Sequence, residues 1–283
     1  MPELPEVQTI VDDLNKKVLG RKITAAWLDW PKFKAVKRTV GYKIRQVKRL
    51  AKNILIYLSD DKILLVHQKM TGHLLIGRWK TDGKKVTPIE PAAIKERVNS
   101  YIHFILTLDD GRMIGFSDLR KFGKVLLGSA AEIENLPELK KLGPDALDSK
   151  LTGALLWQRL QKKSKTIYQT LMDQEVIAGI GNIYANDILH AAKIHPFKIA
   201  RKITRAEADQ LLRAIRKILK LSLKLRGTSI DDYRDTAGEK GYYGKQRLIY
   251  QREGEKCSHC GHIVKRVKKG GRSAFFCAKC QGK

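Results

Sequence analysis

Four cysteines fall in two close pairs, Cys257-Ser258-His259-Cys260 and Cys277-Ala278-Lys279-Cys280, with sixteen residues between them. Two hairpin-borne C-x-x-C pairs can converge on one tetrahedral ion, and four thiolates suit Zn2+. Binding would stabilise a segment too short for a core of its own. His259 and His262 could act as ligands instead. Four thiolates already close the site, however, which leaves the histidines as surface or neighbouring groups. A redox role for either pair is the competing reading. A closed four-thiolate site has no open position, so the metal is expected to hold structure rather than to catalyse.

The chain opens Met1-Pro2-Glu3-Leu4-Pro5-Glu6. One reading is a helix entry, with Pro5 in the first turn and Glu6 at the positive end of the dipole. A sharper reading starts from Met1, which precedes a small residue and is expected to be removed. Pro2 would then be a secondary amine, and an α-amino group has a reference pKa of ~7.7–8.0. Much of it is neutral and nucleophilic near neutral pH, and nearby cations would lower its pKa further. Attack on a sugar C1′ gives an iminium, which acidifies the adjacent carbon and permits elimination of phosphate. Glu3 stands beside it to move protons.

The 283 residues carry 56 Lys+Arg against 29 Asp+Glu, a formal net charge of +27. Such an excess repels itself, and a polyanion is its usual counterpart, because each cation on a phosphate releases a condensed counterion. Around the cysteines, Lys265, Arg266, Lys268, Lys269 and Arg272 would be held by the metal against such a backbone. A basic surface of solvated lysines is the alternative. Hydrophobic content of 43% with 30% charged residues fits an ordered chain, and the length suggests about two domains. No run of ~18 apolar residues exists, and no leader pattern is present. A reducing, cytoplasmic compartment is therefore expected, with the thiols unoxidised.

These groups need elements to position them. Glu6–Leu19 has helical apolar spacing at Val7, Ile10, Val11, Leu14 and Val18, ended by Gly20. From Lys22 to about Gly128 the pattern becomes short strands. Hairpins are predicted at 53–58/62–67 around Ser59-Asp60-Asp61 and at 101–108/112–117 around Asp109-Asp110-Gly111. That pattern suggests a β-sandwich or barrel. Residues 79–97 read as an irregular polar loop, and 129–150 as a linker punctuated by Pro137 and Gly143-Pro144. A helical half follows, with helices predicted at 151–161, 166–172 and 184–192. The glycine turn Gly179-Ile180-Gly181 lies between the last two. Thr204 with Glu207 forms a capping box that opens a long helix, stopped by Gly227. Thr228–Gly244 reads as a long polar segment, expected to be a mobile loop.

Met1–Val7, Asp118-Leu119-Arg120-Lys121-Phe122-Gly123, Gly181-Asn182-Ile183-Tyr184 and the terminal cysteine pairs occur in one order. In that order they resemble the bacterial formamidopyrimidine-DNA glycosylase family (8-oxoguanine DNA glycosylase with lyase activity), over nearly the whole chain. The resemblance implies an α+β fold. An N-terminal helix packs on a two-layer β-sandwich, and a helix–two-turn–helix bundle with a four-cysteine zinc-finger β-hairpin follows. The implied segments are a catalytic domain at 1–130, a linker at 131–150, a DNA-binding domain at 151–244 and the finger at 245–283. DNA would lie in a basic cleft. The partner is damaged double-stranded DNA, with no membrane, no obligate protein partner and a monomeric chain.

By the same resemblance Pro2 is the Schiff-base nucleophile and Glu3 the acid assisting ring opening. Lys52 serves β-elimination, and Arg272 serves δ-elimination and phosphate contact. Asn182 binds phosphate where glycines let backbone N–H groups approach it; a dinucleotide reading of Gly-x-Gly fails for want of a preceding strand and a third glycine. Met70, Arg120 and Phe122 match the residues that fill the gap left by an everted base, against the plainer reading of Met70 and Phe122 as core. Several positions depart from the family pattern. Tyr101 stands for the first histidine of a His-x-His, and Tyr168 for a lysine. A phosphate-contacting lysine falls at Ser164, next to Lys163, which is expected at the DNA. Ala51 and Gln8 replace the common glycine and glutamate. Cys257, Cys260, Cys277 and Cys280 are the expected ligands of one Zn2+. The competing readings are an endonuclease VIII-type glycosylase for oxidised pyrimidines and a non-catalytic zinc protein that binds damaged DNA.

Overall fold

A computed structural model describes residues 1–230 and 232–282. The chain divides into two compact units, one of Met1–Lys140 with Leu223–Gly244, the other of Lys141–Ser222 with Lys245 onward. Among the described residues, no helix is long and apolar enough to cross a membrane.

The first unit begins with α1 (Leu4–Val18). Nine strands follow: β1 (Ile23–Leu28), β2 (Ile44–Leu50), β3 (Asn53–Leu58), β4 (Lys62–His67), β5 (His73–Asp82), β6 (Lys85–Glu90), β7 (Ile102–Leu108), β8 (Met113–Ser117) and β9 (Lys124–Ser129). They form two antiparallel sheets, ordered β1-β7-β8-β5-β6 and β2-β3-β4-β9. Alternation sends Ile54, Ile56, Leu64 and Val66 from one sheet and Leu74, Phe104, Ile114 and Phe116 from the other into a single buried cluster. Val7, Ile10 and Leu14 of α1 complete it. The architecture is therefore a sandwich rather than a barrel. Both expected hairpins are present.

Residues 79–97 are not an irregular loop. They close β5, turn at Gly83, form β6 and continue through two short 3-10 turns. Trp79 is buried with Leu75, Ile94 and Ile105 on the outer side of the larger sheet. The strand escapes a reading by hydrophobic pattern because β6 is an edge strand with only half-buried Val86 and Pro88. Edges carry charge and tolerate proline. Residues 129–150 hold two short helices, α2 (Ala130–Glu134) and α3 (Pro137–Lys140), α2 opened by a Ser129–Glu132 capping box.

Nor is Thr228–Gly244 a mobile loop where it is described. Tyr233, Arg234, Asp235 and Thr236 are buried. Arg226 Nη2 lies 2.6 Å from Asp13 of α1 and 2.7 Å from Asp235. Thr236 Oγ1 donates to the same Asp13 at 2.7 Å, and the Ile76 N–H donates to the Thr236 carbonyl at 2.6 Å. A network of polar side chains, together with Tyr233 in the hydrophobic cluster, orders the described part of this segment, so its composition misleads.

The second unit contains α4 (Gly153–Gln161), α5 (Ile167–Leu171), α6 (Asn182–Ala191) and most of α7 (Arg205–Lys224), then the hairpin β10 (Lys265–Lys269) and β11 (Arg272–Phe276). The Thr204–Glu207 capping box opens α7. Asp187 of α6 is 0% exposed and accepts the backbone N–H groups of Leu248, Ile249 and Tyr250 at 3.0, 2.9 and 3.1 Å. A buried carboxylate so surrounded replaces its lost water and anchors the chain entering the cysteine module. Asp187→Ala strands those three donors and is expected to destabilise by about 3–5 kcal/mol, with Asp187→Asn costing less. Urea denaturation checks this; equal midpoints for wild type and Asp187→Ala would contradict it.

Candidate functional site

The N-terminal half is built on the first turn of α1. Pro2 and Glu3 are both buried. The Glu3 side chain accepts the Glu6 N–H, and the Glu3 N–H donates to Glu6 Oε2 at 2.9 Å, a reciprocal box at the positive helix end. The other Glu6 oxygen accepts the Thr228 N–H at 2.8 Å. Gly227, with φ +81°, approaches so closely that a β-carbon there would meet Glu6 Cγ and Oε1 at 2.9 Å. Burial, and then the Glu6 charge, push the Tyr233 phenol well above its ordinary pKa, so it stays protonated beside this carboxylate.

Lys52 follows Ala51, whose φ of 55° turns the chain between β2 and β3. Arg49 Nη1 donates to the Ala51 carbonyl at 2.9 Å, and Arg49 Nε donates to Gln8 Oε1 at 2.8 Å. Gln8 on α1 thereby ties the Lys52 turn to the helix that starts beside Pro2. Lys52 is only 7% exposed. In register with its neighbour Asn53 is His67. Burial, reinforced by Lys69 and Lys52, lowers the His67 pKa to about 4. Its Nδ1 accepts the Lys69 N–H at 3.0 Å, so the neutral ring carries its proton on Nε2. His67 was absent from the residues singled out in the sequence; its position opposite Asn53 is the signal that could have found it.

Met70 and Phe122 are 39% and 51% exposed, so neither is core. They sit on two turns that share one support. Thr71 Oγ1 donates to the buried Asp118 carboxylate at 2.5 Å, Gly123 N–H donates to the other Asp118 oxygen at 2.7 Å, and Arg120 N–H donates to Thr71 Oγ1 at 3.0 Å. Gly72 and Gly123 both close onto the Phe116 ring, where β-carbons would stand 2.7 and 2.6 Å from Cζ. The Arg120 guanidinium lies 4.7 Å from the Phe122 ring centroid. Met70 and the Arg120–Phe122 pair thus stand on two turns braced by one carboxylate. Tyr101 is half-buried and its carbonyl accepts the Asp118 N–H at 2.9 Å. His103 is structural, its ring between Asp29 and the Asp118 carbonyl.

In the second unit Asn182 opens α6 immediately after Gly181. The Tyr168 hydroxyl stands 2.5 Å from Asn182 Oδ1 and 2.8 Å from the Ser273 carbonyl. One phenolic proton lies between two acceptors, so Tyr168 forms a strut between α6 and the finger hairpin. One turn on, Asn186 Oδ1 accepts the Phe275 N–H at 2.6 Å while its Nδ2 donates to the Asn182 carbonyl at 2.7 Å. Arg272 begins β11 after the Gly270-Gly271 turn and is exposed, its Nη1 3.6 Å from Met172 Sδ. Lys163 is paired to Asp173 at 2.9 Å, both one-third exposed. An anion must compete with Asp173 for it.

Cys257, Cys260, Cys277 and Cys280 bring their sulfurs within 4.8 Å of one another. Tetrahedral zinc with ~2.3 Å bonds needs sulfur separations of about 3.8 Å. The Cys257–Cys280 and Cys260–Cys277 distances are 3.9 and 3.4 Å, far beyond the ~2.05 Å of a disulfide. The donor set fits one structural zinc. His259 and His262 are exposed and stand outside it. The His262 N–H pulls the Cys260 thiol down to about 7, whereas burial pushes Cys277 and Cys280 up. Gln281, fully buried, ties the finger to the end of α6 by donating to the Ile194 carbonyl at 2.9 Å.

Elemental analysis should find one zinc per chain. Stripping it with a chelator should open amide exchange over 254–282 and at Leu248–Tyr250 while leaving the sandwich strands protected. A zinc-free chain with full protection over 254–282 would contradict this.

Three family models match the chain. They are the formamidopyrimidine-DNA glycosylase N-terminal domain at residues 1–125, the H2TH domain of that enzyme at 142–234, and a zinc finger found in FPG and IleRS at 254–282. The formamidopyrimidine-DNA glycosylase of Desulforamulus reducens is 37% identical over 289 residues, covering 99% of each chain. That of Ureaplasma parvum is 35% identical over 99% of this chain and 100% of its own. Among solved structures, MutM (Fpg) from Thermus thermophilus superimposes with a TM-score of 0.86 at 31% identity, covering 100% of this chain and 99% of its own. Lactococcus lactis Fpg, solved with DNA containing an abasic site, gives 0.86 at 29% identity, covering 99% and 100%. With both its units and its finger accounted for in this way, the chain belongs to the formamidopyrimidine-DNA glycosylase family.

Proposed function

We propose that this protein is a bifunctional DNA glycosylase and AP lyase that removes oxidised purines, 8-oxoguanine and formamidopyrimidines, from duplex DNA in base excision repair. The observation that supports the reading is the buried Pro2–Glu3 pair at the head of α1, where removal of Met1 would leave an imino nitrogen next to a residue bearing a carboxyl group. Relatives bear the name formamidopyrimidine-DNA glycosylase, and Lactococcus lactis Fpg has been solved with a Fapy-dG containing DNA.

Once Met1 is removed, the neutral Pro2 nitrogen attacks C1′ of an everted deoxyribose; the damaged base departs with the C1′–N bonding pair and takes up the proton that the Pro2 nitrogen gives up. Glu3 delivers a proton to O4′, the sugar ring opens and an iminium remains. Loss of a C2′ proton expels the 3′ phosphate, and a second elimination expels the 5′ phosphate. Lys52 serves the first elimination and Arg272 the second, each as a cation at a departing phosphate. Asn182, Lys163 and Tyr101 hold the backbone. Met70, Phe122 and Arg120 fill the vacated stack, and their exposure on a braced frame suits insertion. Residues 1–130 supply the chemistry, 131–150 link, 151–244 bind DNA, and the zinc holds the 245–283 finger in shape. The protein acts as a monomer in the cytoplasm and needs no protein partner.

Borohydride reduction during reaction with an 8-oxoguanine duplex should trap a covalent adduct at the Pro2 nitrogen. A variant that retains a blocked N-terminal extension should give no adduct and lose nicking by several orders of magnitude. Binding without nicking by the unblocked protein would leave a non-catalytic zinc protein. A strong preference for thymine glycol over 8-oxoguanine would instead assign it to oxidised pyrimidines.

A further inference from the structure

We propose that the second unit carries a nucleotide-binding pocket, separate from the residues assigned above to repair chemistry. A cavity of about 480 Å3 opens between the end of α6, one face of α7 and the finger, a size suited to a small ligand. Lys193, Arg213 and Lys217 stand around it, and no carboxylate lines it. The acids of α7 are engaged elsewhere, Glu207 with Lys198 at 2.5 Å and Asp209 with Arg205 at 3.4 Å. Arg213 and Lys217 are one helical turn apart, and like charges at that spacing weaken a helix. A phosphate between them would remove the repulsion and gain charge-assisted hydrogen bonds. The rest of the wall is different in kind. Ala191, Ala214 and Leu248 give an apolar surface for a flat ring. Cations beside an apolar floor suit a phosphorylated ring compound better than a bare phosphate.

His190 links the pocket to the finger. It lies in the same wall, 6% exposed, with Nε2 3.3 Å from Cys257 Sγ. Cys280 borders the cavity too, so an occupied pocket would brace the finger.

Isothermal titration of the zinc-loaded protein with ADP tests the site. R213S/K217S should weaken ADP binding about tenfold or more. K84S/K85S, which removes the same charge from the exposed tip of the β5–β6 hairpin, should change it less than about twofold. A 5′-phosphorylated tetranucleotide that displaces ADP from wild type would identify a strand end as the natural guest; failure to displace it would identify a free nucleotide. No measurable ADP binding, or equal weakening in both double variants, would overturn the proposal and leave only diffuse attraction to a chain of net charge +27.

Discussion

The Glu6 carboxylate is the point on which the first unit turns. It is almost fully buried at the positive end of α1, and each of its oxygens accepts a backbone N–H, one from Glu3 and one from Thr228. A buried carboxylate is tolerable only where donors replace its water, and these two donors are more than two hundred residues apart in sequence. Satisfying one charge therefore fixes both the start of the chain and the start of the 228–244 segment. The left-handed Gly227 exists at the closest approach, where any side chain would strike Glu6. The Arg226–Asp13–Asp235 cluster repeats the device one step further along α1.

The second unit solves its positioning problem by related means. Asn182 and Asn186 share one face of α6 and Asp187 turns to another, and they send their polar atoms to Tyr168, to β11 and to the 248–250 backbone. A helix rich in short polar side chains is a poor autonomous helix, yet here those side chains dock it to its neighbours. In both units the groups assigned to chemistry or insertion sit at the ends of such braces. Asp118 underlies Met70 and Phe122, Gln8 and Arg49 underlie Lys52, and Tyr168 underlies the strand that Arg272 begins. On the proposed roles, such placement would limit reorganisation when a substrate arrives.

Apolar periodicity made α1, α7 and the two hairpins legible, and the spacing of the cysteines made the metal site so. The two-layer arrangement itself was not fixed by strand pattern, which allows a barrel equally; it follows from one cluster joining inner faces of both sheets. Edge strand β6 was hidden because it buries little. The ordering of the described part of 228–244 was hidden because its polar partners, Glu6, Asp13 and Asn99, are distant in sequence. Asn186 was missed for the same reason, since a hydrogen bond to remote backbone leaves no period in the chain. Exposure of Met70 and Phe122 was foreseeable from their charged and glycine neighbours, whereas the capture of Lys163 by Asp173 was not.

Amide hydrogen exchange in a Glu6→Ala variant is the most direct test of this arrangement. Removal of the shared acceptor should raise exchange at Glu3 and at Thr228 together, by about tenfold to a hundredfold, while β3 and β4 stay protected. Unchanged protection at both amides, or loss at Glu3 alone, would mean that the carboxylate does not join the head of α1 to the 228–244 segment.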